Sequence, residues 1–76
     1  MEPSFGDLVR AARIKQGWTQ AEVARRLDTH GIYLTQPMVS SVERGMLTPD
    51  VWAVTALCLT LRIRPQVALA ALGWHN

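Results

Sequence analysis

The chain has 76 residues, enough for one domain with one small core. Hydrophobic residues make up 49% and charged residues 18%, which excludes a disordered tail. The net charge of +2, with all but one of the eight cations arginine, permits a polyanionic partner without requiring one.

The segment Ser4 to Gln16 reads as a first helix. Phe5, Leu8, Val9 and Ala12 recur at three- and four-residue spacing, Ser4 followed by Asp7 resembles a capping arrangement, and Gly17 stops it with Lys15 near the carbonyl end. Thr19-Gln20-Ala21-Glu22 has the spacing of a capping box and opens a second helix, Gln20 to Leu27, with Val23, Ala24 and Leu27 facing in. Asp28 to Leu34 is a loop, marked by Asp28 and Gly31. Thr35 or Gln36 caps a third helix that carries Pro37 in its first turn and closes at Gly45. Val39 and Val42 face the core there, which leaves Gln36, Ser40, Ser41 and Arg44 outward. Met46 to Pro49 is a turn. Thr48 or Asp50 caps a fourth helix to about Leu61, and a fifth begins near Pro65 and ends at Gly73. There is no β pattern, repeat or linker. The expected architecture is all-α, five helices in a single domain spanning 1–76, with no cofactor.

Two helices joined by a short connection, the second with a polar outward face, form the helix-turn-helix layout, here about residues 19–45. The B-DNA major groove is about 12 Å wide and admits one α-helix. The second helix lies in that groove. The first presents its N-terminus to a phosphate, where free N–H groups and the helix dipole favour an anion.

The pieces GWTQAEVARRL and TQPMVSSVERG, followed by TP, resemble the phage-repressor (XRE) family that includes lambda repressor and Cro. The usual pattern there is G-L-T-Q-x-x-L-A-x-x-L, then a serine or threonine opening the recognition helix, V-S-x-x-E-x-G, and a proline shortly after. The resemblance covers about Phe5 to Leu72. It implies that Gln20 touches a phosphate and braces the recognition helix, with Thr19 beside it. Gln36 reads a base, and glutamine suits adenine. Pro37 offers apolar contact, and Ser40 and Ser41 reach bases or backbone. Arg13 and Glu43 match a family ion pair tying the first helix to the recognition helix.

Four departures qualify this picture. The loop Asp28 to Leu34 is longer than usual and either wraps the DNA backbone or bulges into solvent, the bulge being the expectation. Trp18 replaces the usual leucine as a larger core plug. Pro37 biases Gln36 away from helical angles, which would make Gln36 the cap and turn it from the groove. Met46-Leu47-Thr48 lacks the usual phosphate-holding cations, so counterion release contributes less, and Arg44, Arg10 and Lys15 must compensate.

The fourth helix has an inward face, Val51, Val54, Leu57, Cys58 and Leu61. It also has a second apolar stripe, Trp52, Ala56, Leu59 and Ile63. One small domain cannot bury both. Either the segment Val67 to Trp74 folds over the stripe or another chain does. The expected dimer or partner interface is therefore Trp52, Ala56, Leu59, Ile63, Val67 and Trp74, with residues about 50–72 serving core and dimerisation. A twofold pair of recognition helices reads half-sites about 34 Å apart.

The expected function is a dimeric DNA-binding repressor on a pseudo-palindromic operator of double-stranded DNA. The alternative is a protein-interaction module of the same fold, such as an antitoxin, anti-repressor or co-regulator, acting through Trp52 and Leu59. No nucleophile, base and orienting group occur together, so an enzyme is not expected. His30 and His75 lack cysteine or carboxylate company, so neither is a metal site. The lone Cys58 sits among apolar residues and reads as packing; it excludes an internal disulfide and fits a reducing compartment. The longest purely apolar run, Val67 to Leu72, is far too short to span a bilayer, and Met1 to Gly6 is no signal peptide. A cytoplasmic site of action is the expectation.

Overall fold

The computed structural model describes residues 2–74. Its helices are α1 (Phe5–Gln16), α2 (Gln20–Asp28), α3 (Gln36–Glu43), α4 (Val51–Leu61) and α5 (Pro65–Leu72). The body measures 31 × 23 × 22 Å. The all-α, five-helix expectation agrees with it. No helix among the described residues is long and apolar enough to cross a membrane.

Side chains fix most of the helix starts. Ser4 and Asp7 form a reciprocal capping box: Ser4 Oγ accepts from the Asp7 amide, and the Asp7 carboxylate accepts from the Ser4 amide, each at 3.1 Å. At Thr19 only half of the expected box forms. The hydroxyl accepts from the Glu22 amide, but the Glu22 carboxylate turns to Arg25 and Arg26 instead. Two cations one turn downstream outcompete one backbone N–H for that carboxylate. Asp50, not Thr48, caps α4, accepting from the Ala53 amide at 2.9 Å.

Helix α1 lies against α3, α4 and α5, while α2 packs on α3 and α4. The space between them is filled by Val9, Val23, Leu27, Val39, Val42, Leu57 and Leu61, all fully buried. Each such side chain contributes about 1.5–3 kcal/mol on leaving water. Cys58 belongs to the same core, and its burial pushes the thiol up from its ordinary range.

The α2–α3 connection, residues 29–35, stands out in solvent through Thr29, His30, Gly31 and Tyr33, as expected, and is tied back to the body by backbone bonds and by two apolar side chains. The Ile32 amide reaches back to the Leu27 carbonyl and the Gly31 amide to that of Asp28, with Gly31 at φ 75°, the left-handed turn that ends a helix. Leu34 is buried and Ile32 packs on the core. Only Tyr33 between them stands out in solvent, 76% exposed.

Among the described residues one non-glycine residue adopts a left-handed conformation: Arg62, φ 61°, at the end of α4. That costs an L-residue about 1–2 kcal/mol, against about 0.4–1 kcal/mol for a glycine's extra unfolded-state freedom. Arg62→Gly is therefore expected to raise the melting temperature by a few degrees in a calorimetric scan, a gain of about 0.5–1 kcal/mol. A lower melting temperature would mean that the arginine side chain contributes more than the strain costs.

Candidate nucleic-acid interface

The α3 start decides which side chain is presented. Thr35, not Gln36, is the cap: its hydroxyl accepts from the Met38 amide. Gln36 is thereby the first helical residue and Pro37 the second, where a proline costs no hydrogen bond. The proline restricts the residue before it, but that residue needs no interior helical hydrogen bond. Gln36 stays exposed rather than being turned away.

Behind Gln36 runs a chain of polar contacts. Glu43 is buried at the end of α3 and is held by two bonds from Arg13 of α1: Nε to Oε2 at 2.6 Å and Nη2 to Oε1 at 3.0 Å. The third arm of Arg13, Nη1, donates to the Trp18 carbonyl at 2.9 Å. The Glu43 hydrogen bond is the main reason the Arg13 guanidinium is held above its ordinary range; burial acts against it and the charge of Glu43 with it. Gln20 Nε2 of α2 donates to Glu43 Oε1 at 3.1 Å, and Gln20 Oε1 accepts from Gln36 Nε2 at 2.7 Å.

The chemistry of this chain is directional. A carboxylate only accepts, so Gln20 must turn its NH₂ toward Glu43 and its carbonyl oxygen toward Gln36. Gln36 must then answer with its NH₂. What remains on Gln36 is its carbonyl oxygen and one N–H, an acceptor beside a donor. Adenine presents the complementary pair, N6–H and N7, in the major groove. Gln20 also keeps one N–H, and the Thr19 hydroxyl keeps its proton.

The other candidate residues divide. Pro37 and Arg44 are exposed, and Ser40 and Ser41 are half-buried on α3. Arg44 folds along its own helix, with Nε donating to the Ser40 carbonyl at 3.3 Å and Nη2 3.5 Å from Ser41 Oγ. Arg10 and Lys15 are exposed on α1 and make no ion pair among the described residues. Arg25 and Arg26 are committed to Glu22, whose carboxyl the Arg25 hydrogen bond holds below the usual range. Arg26 also lies over Trp18, 3.9 Å from the ring centre. Trp18 is thus a lid under a cation rather than a fully buried plug. After α3, Met46 is exposed and the turn carries no cation.

Ala56 does not join the outward stripe of α4. It is 5% exposed and belongs to the core: it lies about 40° round the helix from Trp52, beyond the edge of the exposed arc. Trp52 and Leu59 remain 73% and 67% exposed, so α5 does not cover them. Ile63 and Val67 are half-buried and Trp74 is exposed. Among the described residues no group of three His, Cys, Asp or Glu side chains could hold a metal; His75 lies outside them.

Reasoning from sequence missed Gly6. A Cβ there would stand 2.6 Å from the Glu43 carbonyl oxygen and closer still to that of Val42. A glycine inside the first turn of an otherwise regular helix was the available signal, since it costs about 0.5–1 kcal/mol against alanine without a packing reason.

A family model described as a helix-turn-helix domain matches residues 4–72. Comparison with curated proteins and with solved structures gave no match.

Proposed function

The chain belongs to the helix-turn-helix domain family, and we propose that it is a sequence-specific regulator of transcription binding double-stranded DNA, of the phage-repressor type, acting as a dimeric repressor on a pseudo-palindromic operator. The observation that carries this reading is Gln36, exposed at the first position of α3 with its amide orientation dictated through Gln20 by buried Glu43. A solvated surface glutamine samples many rotamers. This one is held, which lowers the entropy cost of binding. Thr19 and the remaining N–H of Gln20 are the phosphate donors at the start of α2. Arg44, released from its own helix end, together with Arg10 and Lys15, supplies the cations. Pro37 gives apolar contact to a thymine methyl, and Ser40 and Ser41 take bases or backbone. The site of action is a bacterial cytoplasm, with the gene bacterial or phage-borne.

Selection from random duplex DNA at stated salt identifies the operator. On it, Gln36→Ala is expected to weaken binding by about 1–3 kcal/mol, roughly 5- to 150-fold, while affinity for random DNA stays the same. An equal loss on both would contradict base reading by this residue. The salt slope should be shallow, because the turn at residues 46–48 has no cation to displace counterions. That missing charge, with exposed Trp52 and Leu59, favours the second reading of a protein-interaction module. Failure to select any sequence would decide for it.

A further inference from the structure

We propose that Tyr33, in the turn between α2 and α3, donates its hydroxyl to a backbone phosphate of the duplex, on the strand opposite the one met by the start of α2. The contact rests on the DNA-binding reading above and extends it to a residue which that reading leaves unused.

The residue is presented rather than left loose. Ile32 and Leu34 on either side of it pack into the body, while Tyr33 stands in solvent. His30 and Ile32 both donate their amides to the Leu27 carbonyl, at 2.9 and 3.1 Å, and Thr35 caps α3 two residues further on. The backbone at Tyr33 is thus ordered before any ligand arrives, so only the phenol itself has freedom to lose. An exposed tyrosine gains little from burial; what it offers is a ring with a hydroxyl at its tip.

Its place beside α3 names its partner. At about 100° per residue, Pro37, Ser40, Ser41 and Arg44 share one outward arc of α3, with Gln36 at one edge and Met38 beyond the other. The Gln36 edge borders the start of α2, since Gln36 donates to Gln20 at 2.7 Å. The Met38 edge borders a groove that Met38 shares with Tyr33, Leu47 and Thr48. A helix with its side chains is about 10–12 Å across and the major groove about 12 Å wide, with a phosphate backbone along each side. When the outward arc faces the base edges, Thr19 and Gln20 meet one backbone and Tyr33 meets the other. The donor type also fits. Residues 46–48 carry no cation and Asp50 lines the groove, so the groove itself repels an anion and the rim must hold it. A phenol O–H is an uncharged donor to a phosphate oxygen. The Thr48 hydroxyl on the same side is a second, since Asp50 takes the cap of α4 in its place. Neither displaces a counterion.

Equilibrium binding of the full chain to the selected operator and to random duplex, over a series of salt concentrations, is the test. Tyr33→Phe should weaken both by about tenfold, the loss of one hydrogen bond to a charged group, and leave the slope of log affinity against log salt unchanged. Tyr33→Lys should steepen that slope by about 0.9, one further counterion released, whereas Gln66→Lys, exposed on α5, should not. The Tyr33 side chain lies in solvent, so neither substitution disturbs the core. Parental affinity in Tyr33→Phe, or the same slope for Tyr33→Lys and Gln66→Lys, would overturn the proposal and leave base reading to be judged by Gln36→Ala alone. A parent that binds no duplex at all would overturn the DNA reading and this contact together.

Discussion

Glu43→Ala is expected to lower the melting temperature by roughly 12–24 °C, a loss of about 3 kcal/mol or more. The residue is 8% exposed, and its side chain 3%. Three donors from two helices converge on its carboxylate: Nε and Nη2 of Arg13 and Nε2 of Gln20. Removing it leaves the Arg13 guanidinium, 14% exposed, with one remaining acceptor, the Trp18 carbonyl. Breaking a buried pair on one side costs about 3–5 kcal/mol because the other charge stays behind. An exposed pair such as Glu22–Arg25 is screened by solvent and contributes far less. Thermal unfolding of Glu43→Ala beside Glu22→Ala measures the contrast directly, and equal shifts would show that burial adds nothing at Glu43.

A second substitution at Glu43 tests function by a route that stability does not mimic. Glu43 is what forces the Gln20 carbonyl outward and so fixes which end of the Gln36 amide faces solvent. Glu43→Gln keeps the volume and returns a donor as well as an acceptor, so Gln20 and Gln36 can both turn over. Operator preference at the base read by Gln36 should then relax even at temperatures where the variant is folded. Arg13→Ala should lower stability without freeing the amides, because Glu43 still accepts from Gln20. A stability-neutral Arg13→Ala would mean that the ion pair contributes nothing to the fold. Arg13 is no source of pH dependence near neutrality. Its folded-state value is raised, so its contribution is complete below the ordinary arginine range and is lost only as pH rises above that.

Where a residue acts through its own backbone neighbours, the sequence was sufficient. Ser4 and Thr19 cap the amides three residues along, Gly17 and Gly73 take the left-handed positions, and proline sits in the first turn of α3 and opens α5, whereas the sequence leaves the choice between Thr48 and Asp50 as the cap of α4 open. The five helices of the fold were legible for that reason. Competition between partners was less legible. Glu22 faces an amide upstream and two arginines downstream, and spacing alone does not rank them. Ala56 shows the limit of a stripe read by eye: at about 40° from Trp52 it falls across the boundary between core and solvent, and only the packing of the whole body decides the side. Tyr33 is legible only once its neighbours are known to be anchored. The directed chain from Glu43 to Gln36 needs the third dimension, since its members come from α1, α2 and α3 and lie up to 30 residues apart.

Gly6→Ala is expected to destabilise the protein, although alanine is the better helix former. Propensity alone predicts a gain of about 1 kcal/mol. Against it stands a Cβ driven to 2.6 Å from the Glu43 carbonyl oxygen, and nearer to that of Val42, both backbone atoms. Neither helix yields cheaply. The Val42 carbonyl accepts from the Gly45 amide that turns the chain out of α3, and α1 is held on its other sides by α4 and α5. Overpacking costs about 1–3 kcal/mol and sometimes more, and a contact this short with two backbone oxygens lies at the upper end, about 2–3 kcal/mol, so a net loss of about 1–2 kcal/mol remains and the melting temperature falls by roughly 4–16 °C. Ala11→Gly, exposed on the same helix, isolates the propensity term with the opposite change. Moving α1 from α3 also draws Arg13 from Glu43, so the variant should lose discrimination for the operator along with stability. A higher melting temperature for Gly6→Ala would mean that α1 and α3 do not approach so closely, and the buried ion pair built on that approach would have to be withdrawn with it.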